Sequence, residues 1–289
     1  MIGTMEPRFG WRYFSGTMRQ SLRDAEARWS PVLDAIEVAD TLVGRLVARE
    51  TSYVSERPQD YVACVLIVRC FRLAVPAIYV ALSGFADSSP NMYRTVWEIT
   101  VRLLDMAANP YAGSLGYLLA GASEELSVAK SERDHRATEG LPASEALELN
   151  IKDFEARHKE LQNLALARDL DPVRIERRYG RLNFRETCKR LGIENAYLVN
   201  YAFASGYAHE KNIATGDFSA LGDGERQFEL GPVLDSRIEA VADTLRYLFI
   251  AIQGAASLLD DQVAVEQAEA ELRRLEGLAD WPVVPDASA

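Results

Sequence analysis

Histidine and cysteine are scarce in this 289-residue chain, which contains only three of each. The cysteines, Cys64, Cys70 and Cys188, form no Cys-x-x-Cys pair, so their spacing predicts neither a zinc finger nor a disulfide framework. We expect reduced thiols, with Cys64 and Cys70 packed as small hydrophobic side chains. The sequence also lacks a P-loop, a Gly-x-Gly-x-x-Gly fingerprint and a His-Glu-x-x-His motif. It therefore predicts no metal site and no cofactor.

No apolar run predicts a membrane span. The most apolar stretch, YVACVLIVRCFRLAVPAIYVALSG, contains Arg69 and Arg72, and a charge at mid-bilayer is costly. The first residues, MIGTMEPRFGWRYF, lack the apolar region of a signal peptide. The net charge of −11 repels nucleic acid and anionic lipid on average, although a local basic patch can still bind either. We expect a cytoplasmic protein with no membrane partner.

Helical periodicity is what the sequence has in abundance. Nearly half of the residues are apolar, enough for a large core, and no run alternates as a strand would. The segment LDSRIEAVADTLRYLFIAIQGAASLL, residues 234–259, shows the pattern best. Its apolar residues recur at steps of three and four on one helical face: Leu234, Ile238, Val241, Leu245, Leu248, Ile252 and Ala256.

These patterns predict an all-α fold, a single-domain antiparallel helical bundle over residues 58–277. An N-terminal helical arm, 1–57, precedes it, and a C-terminal tail, 278–289, follows it. The predicted helices cover about 17–57 with a break near Pro31, 59–83, 88–108, 112–136, 143–169, 172–179, 184–191, a helix around His209, 234–259 and 263–277. The arm has an apolar face that must be buried against the body or against a second copy, and we expect a homodimer.

A stripe of polar residues leads to His209. Tyr197, Tyr201, Ser205 and His209 are spaced by four, and Asn212 follows three residues later, so on a helix they share one face. One interpretation is a core-facing stripe whose polar tips find partners. The other is a pocket wall, in which His209 exchanges a proton or steadies an anion near neutral pH. A Ser205 nucleophile activated by His209 is disfavoured, because side chains four apart point in nearly parallel directions and no Gly-x-Ser-x-Gly turn is present.

A second polar cluster lies within SPNMYRTVWEITVRLLDMAANP. Arg94, Glu98 and Arg102 are spaced by four, Asp105 follows after three, and apolar residues surround them on several faces. We therefore expect the Arg94–Glu98 pair to be partly buried, like the two arginines embedded in the apolar run quoted above. Buried charges must be paired, so structural ion pairs are one interpretation. An anion-binding pocket is the other, because guanidinium groups match phosphate and carboxylate.

Two Glu-x-x-His motifs invite comparison with di-iron helical bundles. They are Glu132 to His135 and Glu155 to His158. In an antiparallel helix pair they would miss each other by roughly 10 Å at 1.5 Å per residue. We predict surface charge pairs there instead of a metal site.

The segment RDLDPVRIERRYGRLNFRETCKR, residues 168–190, is a basic island in an acidic chain. Eight Lys or Arg residues face four acidic residues, and Tyr179 and Phe184 are interleaved with them. Such a segment could contact phosphates or stack bases. Alternatively, it is a solvated connector with local salt bridges.

Three segments occur in a fixed order: RCFRLAVPAIYVALSG, then YRTVWE, then ASGYAH. This order resembles a family of uncharacterised bacterial all-helical proteins, over roughly residues 60–260. The resemblance puts the family's marked positions on Arg94, Glu98, Ser205 and His209. It implies a helical bundle and little about activity.

That family is similar, more distantly, to HEPN domains, helical bundles found in nucleotide-binding proteins and in toxin or defence ribonucleases. HEPN nucleases carry an arginine four to six residues before a catalytic histidine. Here residues 203–205 read Phe-Ala-Ser, so Arg94 would have to act from another helix. The resemblance implies a metal-independent ribonuclease with His209, Arg94 and Glu98 as its catalytic residues.

Three functions follow from the sequence. The first is a helical binding module for an anionic small molecule, a nucleotide or RNA. Its ligand would be held by Arg69, Tyr201, Ser205 and Asn212 beside Arg94, Glu98 and His209. The second is the HEPN-like ribonuclease of a toxin or phage-defence system, with the 168–190 island guiding RNA. The third is a purely structural interaction protein.

Overall fold

The computed structural model describes residues 30–48, 56–82, 90–180, 183–197, 218–220, 226–228 and 238–276. The helices are α1 Ser30–Val47, α2 Pro58–Leu82, α3 Pro90–Ala107, α4 Pro110–Thr138, α5 Glu145–Leu166, α6 Pro172–Gly180, α7 Phe184–Arg190, α8 Glu194–Ala196, α9 Ile238–Leu258 and α10 Gln262–Glu276. They confirm the predicted all-α fold.

One short antiparallel strand pair was not predicted. It consists of β1 Phe218–Ala220 and β2 Arg226–Phe228, with Phe218 opposite Phe228. These residues lie between the predicted helix around His209 and the predicted helix 234–259, where no element was predicted. A three-residue strand shows a single alternation, which is too short for a period-two pattern to be recognised.

Helix ends follow local chemistry. Pro110 occupies the first turn of α4, where its missing N–H leaves no donor unsatisfied. The Ser144 hydroxyl accepts a hydrogen bond from the Leu147 N–H at 3.2 Å and caps α5. Gly192 lies just beyond α7 at φ +74°, a left-handed conformation that glycine adopts without steric cost. These signals explain why the predicted boundaries lie close to the observed ones.

The core forms around α9, which packs on α2, α3 and α10. The Thr100 hydroxyl donates to the Tyr247 carbonyl at 3.1 Å, and the Tyr93 and Tyr247 rings meet edge to face at 5.8 Å. Further along, a Cβ at Gly254 would come within 3.2 Å of Leu103 Cβ. Because these contacts advance together along both helices, α3 and α9 run in the same direction.

Antiparallel pairs surround this parallel pair. The Gln253 amide donates to Glu269 across α9 and α10 at 3.0 Å. Arg45 pairs with Asp261 at one end of α1, at 2.9 Å, and Arg274 donates to the Pro31 carbonyl at the other. These contacts confirm the predicted antiparallel bundle.

The apolar face predicted for the first helix is buried against the body of the protein. α1 packs on α2, α9 and α10. Its buried residues belong to the same hydrophobic core as those of the other helices: Val32, Ala35, Ile36, Ala39, Leu42, Val43 and Leu46. Within the described residues, this face needs no second copy to cover it.

α6 lies unusually close to α4. A Cβ at Gly116 would come within 2.5 Å of the Ile175 carbonyl oxygen, and one at Gly180 would collide with Ala120 Cβ. Small residues on both helices therefore permit a backbone approach that larger side chains would prevent. This approach fixes α6, and with it the carbonyl that α3 contacts.

α2 is the one described helix whose length and apolar composition would allow it to cross a membrane, and less than half of that stretch is buried. A core helix of a soluble protein can have the same length and apolar composition. Arg69 and Arg72 are exposed, so the expectation that they are embedded was wrong. Helical geometry puts Arg72 on the side opposite the buried residues Cys70 and Ala74, and it puts Arg69 at the edge of the buried face.

Candidate functional site

The first half of α3 carries an ion pair within the helix. Arg94 Nε donates to Glu98 Oε1 at 2.9 Å, one turn away. The two side chains are 26% and 27% exposed, which agrees with the partial burial predicted from the sequence. The pair is therefore reachable from solvent while resting on an apolar helix.

Arg102, one turn further on, bonds to other helices. Its Nη1 donates to the Tyr179 carbonyl at the end of α6 at 2.9 Å, and its guanidinium lies 5.0 Å from the centre of the Tyr117 ring in α4. Burial lowers the pKa of Arg102, and the positive charge of Arg69 lowers it further. Three nearby groups raise the pKa of Arg102 and so act in the opposite direction: Tyr117, Glu98 and Asp105.

Asp105 is buried, with 2% of its side chain exposed. Its Oδ1 accepts a hydrogen bond from Arg190 Nη2 of α7 at 2.5 Å, and the same nitrogen lies 3.4 Å from the Thr187 hydroxyl. Arg190 itself is 44% exposed. Asp105 thus holds α7 against α3 and does not continue the ladder of ion pairs along α3.

Arg94, Glu98 and Arg102 follow one another at one-turn steps along α3, and Arg69 of α2 acts on the last of them. Arg69 of α2 is exposed and lies close enough to Arg102 to affect its pKa, and so does Glu98. Among the described residues, this group contains the guanidinium groups of Arg69, Arg94 and Arg102 and the carboxylate of Glu98. We call these four residues the α3 cluster.

The stripe leading to His209 begins in contact with α3. Its first member, Tyr197, is partly buried, and its ring centre lies 6.1 Å from that of Trp97. Trp97 also contacts Phe184, with ring centres 5.8 Å apart. The predicted site residues Tyr201, Ser205, His209 and Asn212 lie outside the described residues.

A second polar group on α3 and α9 was missed by the sequence analysis. Tyr93 and Tyr247 pack together, and Arg246 pairs with Asp243 at 2.9 Å beside them. Burial raises the pKa of the Tyr93 hydroxyl well above its usual range, and Tyr247 and Asp243 add to the shift. The sequence did contain a signal for this group. Asp243 and Arg246 are oppositely charged, three residues apart in an apolar helix, and next to Tyr247.

In the second Glu-x-x-His motif, both the glutamate and the histidine contact residues of neighbouring helices. Glu155 pairs with Lys130 at 2.7 Å, and the hydrogen bond from Lys130 lowers the pKa of that carboxyl. His158 Nε2 lies 3.2 Å from the Ser123 hydroxyl and 3.8 Å from Glu176 Oε2. A serine-histidine-acid triad needs the acid on the other ring nitrogen, so this arrangement is not one. No group of three or more metal-binding side chains occurs among the described residues.

The two aromatic residues of the basic island differ in burial. Tyr179 is 3% exposed, so it cannot stack a base, and the prediction was wrong for this residue. Phe184 is partly buried and packs against Trp97, and base stacking by it stays a prediction. Both rings help to hold α6 and α7 on the core.

Comparison with known proteins adds the family alone. A model described as a family of unknown function, DUF5677, matches residues 60–226, from α2 to the start of β2. The matched region contains the α3 cluster, the basic island and His209. No curated protein and no solved structure matches the chain. Because the family model covers more than half of the sequence, the chain belongs to the DUF5677 family.

Proposed function

We propose that this chain is a helical binding module that holds an anionic ligand at the α3 cluster. The observation that carries the proposal is the partly exposed Arg94–Glu98 pair, one turn before Arg102 on α3, whose pKa the positive charge of Arg69 also lowers. Like charges held together cost free energy, and a bound anion would remove that cost. The ligand class is a phosphate- or carboxylate-bearing small molecule, a nucleotide or an RNA end.

The Arg94–Glu98 pair suits such a site. Both side chains are about one-quarter exposed, and pairs one helical turn apart stabilise a protein by only about 0.3–0.5 kcal/mol. A ligand oxyanion can therefore compete with Glu98 at little cost in folding stability. The planar guanidinium also presents several N–H donors in an arrangement that matches phosphate oxygens.

Thermal unfolding with added ligand tests the proposal. Orthophosphate, AMP and a 5′-phosphorylated oligoribonucleotide are the probes, since a ligand at 100 times its Kd stabilises by about 2.7 kcal/mol. Arg69→Gln should weaken binding of the active probe about tenfold. Arg72→Gln is the matched control, because Arg72 is equally an exposed arginine of α2 but does not affect Arg102. Equal losses in both variants, or no stabilisation by any probe at millimolar concentration, would overturn the proposal.

A metal-independent HEPN-like ribonuclease is the second candidate. The supporting observation is the contact of the Tyr197 ring with Trp97. Tyr197 begins the segment that leads to His209, and Trp97 lies between Arg94 and Glu98 in the sequence. In this function His209 acts as general base and Arg94 stabilises the phosphorane.

The ribonuclease is tested with RNA in EDTA. Cleavage should disappear in His209→Ala and Arg94→Ala and persist in His135→Ala, which removes an exposed histidine of α4. Cleavage that survives loss of His209 contradicts this function. If no probe binds, no RNA is cleaved and the variants are only less stable, the structural role stands.

A further inference from the structure

We propose that the outward faces of α6 and α7 form a docking surface for the phosphate backbone of a nucleic acid strand. The surface consists of Arg174, Arg177, Arg178, Arg185 and Lys189, all of them exposed, and we call it the α6–α7 surface. It uses none of the residues of the α3 cluster. The inference therefore goes beyond the proposed anion site, and either one can fail without the other.

The arginines of α6 face outward because of what the helix buries. Ile175 and Tyr179, four residues apart, are 7% and 3% exposed and pack against α4. Helical geometry then places Arg174, Arg177 and Arg178 on the other side. Three guanidinium groups within four residues of one another form a compact cationic face.

The carboxylates of α6 leave these arginines without ion pairs. Asp171 Oδ1 accepts the backbone N–H groups of Val173 and Arg174 at 3.0 and 3.2 Å, so it caps the helix. Glu176 turns inward to His158. Within the described residues, none of the three arginines forms an ion pair. Arg178 lies instead 5.0 Å from the centre of the Tyr179 ring.

α7 contributes two further cations. Its buried side carries Thr187 and Cys188, and the Arg190–Asp105 pair holds it on α3. Arg185 and Lys189, one turn apart, remain exposed. The carboxylate nearest Arg185 is Glu194 at 3.7 Å, in a largely exposed pair that salt weakens.

The chemistry of the surface favours phosphates over bases. Tyr179 of α6 is buried, and the partly buried Phe184 of α7 packs against Trp97, so the exposed side chains of this surface are cations. Sequence-tolerant stacking and base-edge reading both need groups that this surface does not present. Arginine and lysine contacts to phosphate carry no sequence information, and we expect binding that does not depend on base composition.

The number of cations limits the salt dependence. Each phosphate contact on a single strand contributes about −0.7 to the slope of log K against log salt. Five cations therefore give a slope no steeper than about −3.5. Removal of the three arginines of α6 should reduce the magnitude of this slope by about 2.

Fluorescence anisotropy with a labelled 20-nucleotide poly(U) RNA, at 50–300 mM KCl, tests the surface in the full chain. The triple variant R174Q/R177Q/R178Q should bind at least tenfold more weakly at 100 mM and show the reduced slope. The control R133Q/R157Q/R273Q removes equal charge from one arginine each of α4, α5 and α10, all of which pair with carboxylates. It should change affinity less than threefold, and so should poly(C) in place of poly(U).

Several outcomes would overturn the inference. Equal loss in both triple variants would mean that overall charge, and no particular surface, governs binding. Binding to phosphatidylglycerol vesicles without binding to RNA would assign the surface to a membrane. Salt-sensitive self-association that the α6 variant abolishes, seen by sedimentation without RNA binding, would assign it to a second copy.

Discussion

The two halves of α3 carry the same kinds of residues and use them differently. In the first half, Arg94 and Glu98 bond to each other and remain about one-quarter exposed. In the second half, Arg102 and Asp105 each bond to a different helix. Arg102 bonds to the α6 carbonyl, and Asp105 bonds to Arg190 of α7. One half therefore retains charge at a solvent-accessible position, while the other fastens two short helices to the core.

The difference follows from burial. A charged group that other helices cover must find a partner, because an unmade bond in the interior costs far more than one at the surface. Once Asp105 is paired with Arg190, its negative charge is matched by a cation that lies outside the α3 cluster. The structural use of the second half thus leaves Glu98 as the carboxylate within the cluster.

The largest effect is expected from Arg190→Ala. It leaves the Asp105 carboxylate buried without its cation, which should cost about 3 kcal/mol of unfolding free energy. Urea unfolding of the full chain measures this cost. Arg185→Ala, which removes an exposed neighbour on the same helix, should cost less than about 0.5 kcal/mol. Similar costs in the two variants would show that the halves of α3 do not differ as described.

Arg102→Ala should have the next largest effect, a loss of about 2 kcal/mol of unfolding free energy. It removes the donor of the Tyr179 carbonyl and the packing on Tyr117. Arg102→Lys should restore only part of the loss, because an ammonium cannot reproduce the planar contact with the ring. Urea unfolding of both variants is the measurement, and full restoration by lysine would contradict the assigned geometry.

The thiol of Cys188 reports on the docking of α7. Cys188 is buried, and burial raises its pKa to about 11, so little reactive thiolate forms at pH 8. The labelling rate should rise about tenfold per pH unit below that pKa. At pH 8, Arg190→Ala should speed labelling at least tenfold by loosening α7, whereas Arg94→Ala should not change it. Mass spectrometry of iodoacetamide-treated protein separates Cys188 from the partly exposed Cys64.

The smallest effect is expected from Arg94→Ala. An intrahelical pair that is about one-quarter exposed should contribute no more than about 0.5 kcal/mol to the unfolding free energy. Ligand binding at the α3 cluster should nevertheless weaken in this variant. A stability loss above about 2 kcal/mol would instead place Arg94 in the structural half of the helix.

Local signals explain why the helices could be predicted. The Pro110 start of α4 and the Ser144 cap of α5 act within one or two turns, so they can be recognised in the sequence. The partial burial of Arg94 and Glu98 could likewise be predicted from their apolar neighbours. The exposure of Arg69 could not, because an apolar helix with arginines does not reveal which side the core will cover.

The sequence by itself determined an all-helical chain, the places where most helices begin and end, and a polar line along α3. Tertiary structure alone decided that Asp105 bonds to an arginine 85 residues away, that Tyr93 meets Tyr247, and that Arg69 approaches Arg102. The physical reason is range. Capping and helical periodicity act over a few residues, whereas the partner of a buried charge is selected by the helices that cover it.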